Sequence, residues 1–154
     1  MTGYTYQRTP PGDRSMAKGQ FGHVLVPVAS DADAESTAEA LADHLDADRV
    51  TVVHVVEKAG GAPDKAGVEQ REEAAAEAFE RFEEAYGESV ETDIVYDTDV
   101  ADGLLTAAAE VGADALAFTP RGGGWFERLL SGSVTRQLLD ETDRPVVVLP
   151  GGDQ

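Results

Sequence analysis

The sequence predicts an α/β fold, a single parallel sheet of five strands covered by helices on both faces. Three observations point to it. Short apolar runs recur along the chain without polar alternation, as strands buried on both faces require. Segments of helical periodicity separate those runs, and glycines or prolines mark the joins. The 154 residues, 42% of them hydrophobic, suffice for one domain with its own core.

The elements follow in order. Residues 1–20 read as a polar, disordered tail: they lack apolar periodicity, contain Pro10-Pro11, and set Arg8, Arg14 and Lys18 against a single acid, Asp13. The folded domain is expected over 21–150, with a short tail at 151–154. GHVLVPVA, from Gly22, is a buried first strand. Ala34, Ala38, Leu41 and Leu45 then recur at helical spacing, in a helix capped near Ser30 or Asp31. RVTVVHVVE gives a second buried strand. Ala75, Phe79, Phe82 and Tyr86 mark an acid-rich helix that Gly87 stops, with Arg71 and Arg81 paired along its solvated face. VETDIVYD alternates more and belongs nearer an edge. Leu104, Ala108 and Val111 place a third helix before Gly112 and the strand ADALAFT. A helix over Ser133–Leu139 and the strand PVVVLP complete the chain.

Composition excludes several functions. There is no cysteine, so disulfides, thiolate catalysis and zinc–thiolate sites are ruled out. No apolar run reaches the length of a membrane span and the N-terminus has no apolar signal core, which predicts a cytoplasmic protein without membrane insertion. The net charge of −18, with lysine only at Lys18, Lys58 and Lys65, rules against nucleic acid as a partner. Because the acids are spread over several helices, they read as a solvated skin suited to a salty, halophilic cytoplasm, ahead of an acidic docking surface. His23, His44 and His54 lack metal-ligand spacing, and His54 reads as a core residue. Asp31, Asp33 and Glu35, after the first strand, could hold magnesium beside a triphosphate or complement the N-terminus of the first helix.

One stretch stands apart: FTPRGGGWFERLLSGSVTRQLL, Phe118 to Leu139. Glycines let backbone approach an oxyanion closely. Ser133 at a helix start offers free N–H groups, a hydroxyl and the positive end of the helix dipole. From Arg121 to Arg144 four arginines balance four acids, a neutral island in an acidic chain. The stretch follows the fourth strand, where ligands of such sheets bind. It is neither GxxxxGK[ST] nor GxSxG, and no catalytic constellation accompanies it.

VLVPV in the first strand, HVV in the second, RPVVVLP at the end, and Gly122 followed by nine residues and Gly132-Ser133-Val134 resemble the universal stress protein family over residues 21–150. The resemblance implies an adenine-nucleotide α-hydrolase-like fold with strand order 3-2-1-4-5. It also implies a cytoplasmic stress-response protein, homodimeric through its last strand (145–149), that binds ATP or AMP, with magnesium, as a regulatory ligand. The residues it implicates are Pro27, Val28, Ala29 and Val55 around the base, with Thr119, Arg121, Gly122, Gly132, Ser133, Val134 and Thr135 around ribose and phosphates. Hydrolysis, if any, is incidental, so no enzyme is expected.

Two positions depart from the family pattern. Ala29 stands where nucleotide-binding members carry Asp, and Thr119-Pro120 replaces the motif's first glycine. Thr119 adds a branched side chain, and Pro120 lacks an N–H. Each charge-assisted bond lost costs about 1.5–3 kcal/mol, or roughly ten- to a hundredfold in affinity. The alternative is therefore a degenerate module that binds no nucleotide and works as a dimerisation or interaction domain on a protein partner such as a transporter or regulator.

Overall fold

The computed structural model describes residues 19–28, 31–57, 65–97, 99–119 and 133–150. Strands and helices alternate: β1 (Gly19–Val28), α1 (Asp31–His44), β2 (Leu45–Glu57), α2 (Lys65–Tyr86), β3 (Glu91–Asp97), α3 (Val100–Val111), β4 (Ala115–Phe118), α4 (Ser133–Glu141) and β5 (Val146–Val148). Every pairing is parallel and the order is β3-β2-β1-β4-β5. The alternating third strand is an edge, as its pattern predicts. Winding reverses between β1 and β4.

Side chains of successive strand residues point to opposite faces, and the two faces carry separate cores. Val24, Val26 and Val28 of β1, Val50 and Val52 of β2 and Ala117 of β4 pack beneath Ala34, Ala38 and Leu41 of α1 and Ala78 and Phe82 of α2. On the other face Leu25, Val53, Leu116 and Phe118 meet Leu104 and Ala108 of α3 and Leu138 of α4. Each fully buried Leu or Phe contributes about 1.5–3 kcal/mol. Gly87 and Gly112 end α2 and α3 at φ 86° and 73°, and the Gly112 N–H donates to the carbonyls of Ala108 and Ala109.

Two local features differ from the sequence expectation. Leu45 opens β2 instead of closing α1, because β1 itself starts at Gly19 and the pairing Gly19↔Leu45 extends the ladder. Leu45 keeps its place in the α1-side core at 7% exposure, so apolar periodicity runs unbroken across the helix–strand junction. Arg81 does not pair along α2. It reaches α1, with Nη1 2.9 Å from Glu35 Oε1 and Nη2 3.6 Å from Asp31 Oδ2.

A polar chain joins the amino ends of β1, β2 and β3, and no sequence signal announced it. The backbone N–H of His23 donates to Asp114 Oδ2 (2.8 Å), and its carbonyl accepts from the Asp114 N–H (2.7 Å). His23 Nε2 lies 2.7 Å from Thr51 Oγ1, which donates to Glu91 Oε1 (3.2 Å). With the single hydroxyl proton given to Glu91, Nε2 is the donor to Thr51. Arg49 closes the chain on Glu91 at 2.7 Å and holds its carboxyl below the usual carboxylate range.

Candidate functional site

The carboxyl edge of the sheet at the reversal point is where this topology opens a crevice. β1 and β4 are neighbours in the register Val24↔Ala115 and Leu25↔Leu116. β1 runs out at Val28 and β4 at Phe118, and Thr119, the next residue, stands four beyond Ala115 as Val28 stands four beyond Val24. Pro27 and Val28 are buried, Val28 fully and within the α1-side core. Val55 lies on β2 one residue past His54, the partner of Val28, and pairs with Val95 on the other side. The backbone therefore brings Val28, Val55 and Thr119 to one edge. Ala29, Arg121, Gly122 and Gly132 lie outside the described residues.

Thr119 continues the face of Ala117, and so its side chain passes under α1. It is completely buried. Its Oγ1 is 2.7 Å from Thr37 Oγ1 and 3.3 Å from Asp33 Oδ1, and Thr37 Oγ1 is 3.3 Å from the same carboxylate oxygen. Asp33 and Thr37, four residues apart, share a face of α1 and are 4% and 0% exposed. The two hydroxyls have two protons for three contacts. One therefore donates to the other, and the second donates to Asp33.

Ser133, Val134 and Thr135 form the first turn of α4. A helix returning between two parallel strands starts at their carboxyl edge, so this turn, whose amides have no partner within the helix, lies on that side of the sheet. Two contacts fix the helix. Leu138 is buried against the α3 core, and Gln137 Nε2 donates to Asp99 Oδ2 at 2.9 Å. Asp99 also caps α3, accepting from the Asp102 N–H at 3.1 Å. These bonds, the one from Gln137 first, hold its carboxyl below the ordinary range.

The three acids after β1 do not converge. Asp33 is committed to the buried threonines, whereas Asp31 and Glu35 face Arg81. Among the described residues no group of His, Cys, Asp or Glu could hold a metal ion, and no helix is long and apolar enough to cross a membrane. An open hollow of about 500 Å³ at the amino ends of β1 and β2 is lined by Phe21, Gly22, Asp46, Ala47 and Asp48. Its two carboxylates suit no anion. The sequence pointed to Thr119 as a departure but not to its partners Asp33 and Thr37. Their i, i+4 spacing and small size were the available signal.

The model of the universal stress protein family matches residues 20–150. No curated protein matches the sequence significantly. Among solved structures, the chain is similar to a universal stress protein from Archaeoglobus fulgidus in complex with dAMP, at 19% identity over 84% of this chain and 98% of that one, TM-score 0.55. It is also similar to a universal stress protein in complex with cAMP, at 21% identity over 83% and 97%, TM-score 0.55. A protein of the same family from Burkholderia pseudomallei aligns at 22% identity over 92% and 100%, TM-score 0.59. At such identities these likenesses bear on the fold.

Proposed function

The chain belongs to the universal stress protein family, and on that premise we propose that it is a cytoplasmic regulatory protein of the stress response whose 21–150 domain binds an adenine nucleotide. ATP or AMP would sit in the crevice between β1 and β4. In this reading Gly122 and the amides of Gly132, Ser133 and Val134 cradle phosphate, the Ser133 hydroxyl donates a bond, and Thr135 completes the turn. Arg121 supplies positive charge. Pro27, Val28, Ala29 and Val55 bound the base, with Val28 contributing backbone because its side chain belongs to the core. Magnesium would arrive on the phosphates of ATP, as the acids after β1 are otherwise engaged. The nucleotide is a ligand, and hydrolysis would be incidental.

The observation that carries this reading is the placement of Thr119. The branched residue at the motif's first glycine position is fully buried beneath α1, so its side chain leaves the crevice clear. Relatives of the same fold are known in complex with dAMP and with cAMP. Calorimetric titration with ATP and with AMP in high salt tests it. Heat and a raised melting temperature are expected, and Ser133→Ala should weaken binding roughly tenfold or more. Neither heat nor a melting shift at millimolar nucleotide would end the reading.

A second reading has one observation in its favour. Val148 on β5, which is an edge strand among the described residues, is 60% exposed. Unpaired strand edges recruit further strands, which favours a homodimer through residues 145–149. The same chain could then act as an interaction module on a transporter or regulator, the role suited to Ala29 and Pro120. Val148→Asp should convert a dimer to monomer in analytical ultracentrifugation, and a wild-type protein that sediments as a monomer rules the dimer out.

A further inference from the structure

We propose that the β3 edge of the sheet is a docking site for an extended basic segment of a partner protein. The segment adds as a further strand and drops alternate lysines or arginines into two acid-rimmed hollows, one on each face of the sheet. Neither the nucleotide reading nor pairing at β5 is needed for it.

Among the described residues β3 is an edge strand, bonded on one side to β2. Its successive side chains fall on opposite faces, so Val90 packs on the core under α1 and α2 and Val95 on the core under α3. Beside the strand each face has its own hollow. On the α2 face, a space of about 410 Å³ has half-buried Phe79 and Val90 as apolar surface and exposed Glu77, Glu80 and Glu83 around them. On the α3 face, about 210 Å³ lies between Val95, buried Gly103 and Ala107, and the exposed carboxylates of Asp93 and Glu110. Neither hollow has a lysine or arginine among its described lining residues.

Apolar surface ringed by carboxylates suits a long cationic side chain, whose hydrocarbon stem lies on the one while its charged head meets the other. A net charge of −18 would attract a polycation to many places on this chain. What sets this edge apart is that backbone, apolar surface and carboxylates coincide, with a hollow for each face of an added strand. Strand addition draws affinity from main-chain bonds and specificity from pockets that take alternate side chains.

The carboxylates also guard the backbone. The Val90 N–H donates to Glu83 Oε2 at 3.1 Å, and the Ile94 N–H donates to Asp93 Oδ1 at 2.9 Å. Each of those acids belongs to a different hollow. A cation entering a hollow draws its carboxylate away and frees the N–H, whereas an uncharged strand must break the same bonds with nothing in return. A second copy of β3 would bring Glu91 and Asp93 and be repelled. Charge thus selects which strands the edge accepts.

The geometry also specifies a spacing. Val90 and Thr92 border the first hollow, Asp93 and Val95 the second. Their midpoints are three residues apart, an odd interval that serves opposite faces. Basic residues four apart would both fall on one face and leave a hollow empty.

Fluorescence anisotropy with two labelled threonine-rich peptides of identical composition, their arginines three apart or four apart, tests this on the full chain. The three-apart isomer should bind about tenfold more tightly. Glu83→Gln with Asp93→Asn should abolish that preference, while Glu39→Gln, an exposed acid on α1, should leave it intact. Bound peptide should slow amide exchange in β3 and not in β5. Equal affinity of the isomers, a preference that survives loss of Glu83 and Asp93, or protection elsewhere would overturn the proposal. So would either rival occupant. Slowing of β3 exchange with rising protein concentration alone would make it a second copy. Uptake of peptide only after Arg8→Gln, Arg14→Gln and Lys18→Gln would make it the chain's own basic stretch.

Discussion

Thr119 shows how one side chain can mislead when read alone. By composition it obstructs a glycine motif. By strand alternation it falls on the α1 face and vanishes from the crevice. Replacing it with glycine to restore the motif is therefore expected to do harm, through a buried void and the loss of the hydroxyl that meets Thr37. Thr119→Gly should lose about 1–3 kcal/mol in urea unfolding, and wild-type stability in that variant would contradict the assignment. Gly22 makes a second residue-scale case. A Cβ there would stand 2.6 Å from Asp114 Oδ2, the acceptor of the His23 N–H. The carboxylate can swing aside, so Gly22→Ala should cost only the bond, about 0.5–1.5 kcal/mol by the same assay. Neither network was legible in the sequence, because both join residues brought close by topology alone.

At the scale of elements the sequence was more informative. Burial imposes a spacing on each strand and helix, and that spacing is local. The apolar run before Pro27, the helical recurrence from Ala75 to Tyr86 and the stop at Gly112 all mark their elements. The misread junction at Leu45 failed for the same reason that the rest succeeded: a core residue looks alike on either side of a turn. Asp99 is the element-scale device most open to test. It caps α3 and receives Gln137 from α4, so Asp99→Ala should destabilise the fold by about 1 kcal/mol near neutral pH. Folding lowers its pKa. The contribution is therefore full above the ordinary carboxylate range and fades as acid protonates the folded group. The gap between wild type and Asp99→Ala in thermal melts should narrow as pH falls through that range, and a gap independent of pH would exclude an ionised cap.

For the whole molecule the governing fact is charge. A net −18 on 154 residues opposes compaction and repels an anionic ligand. Raising sodium chloride from about 0.1 M to about 1 M shortens the screening length from roughly 10 Å to 3 Å. Both the melting temperature and the affinity for AMP are expected to rise over that range, whereas protein–phosphate contacts on a basic surface weaken with salt. A melting temperature indifferent to salt would argue against the halophilic reading.

The two borders of the sheet are unlike. β3 presents exposed Glu91 and Asp93, while β5 presents Val148. A strand added along β3 would have to meet the Asp93 carboxylate and the Arg49–Glu91 ion pair, and a second copy would bring its own. Growth by repeated lateral addition is thus blocked on one flank, and self-pairing of the kind proposed for β5 would use up the other. On the β5 pairing proposed above, assembly would end at two copies.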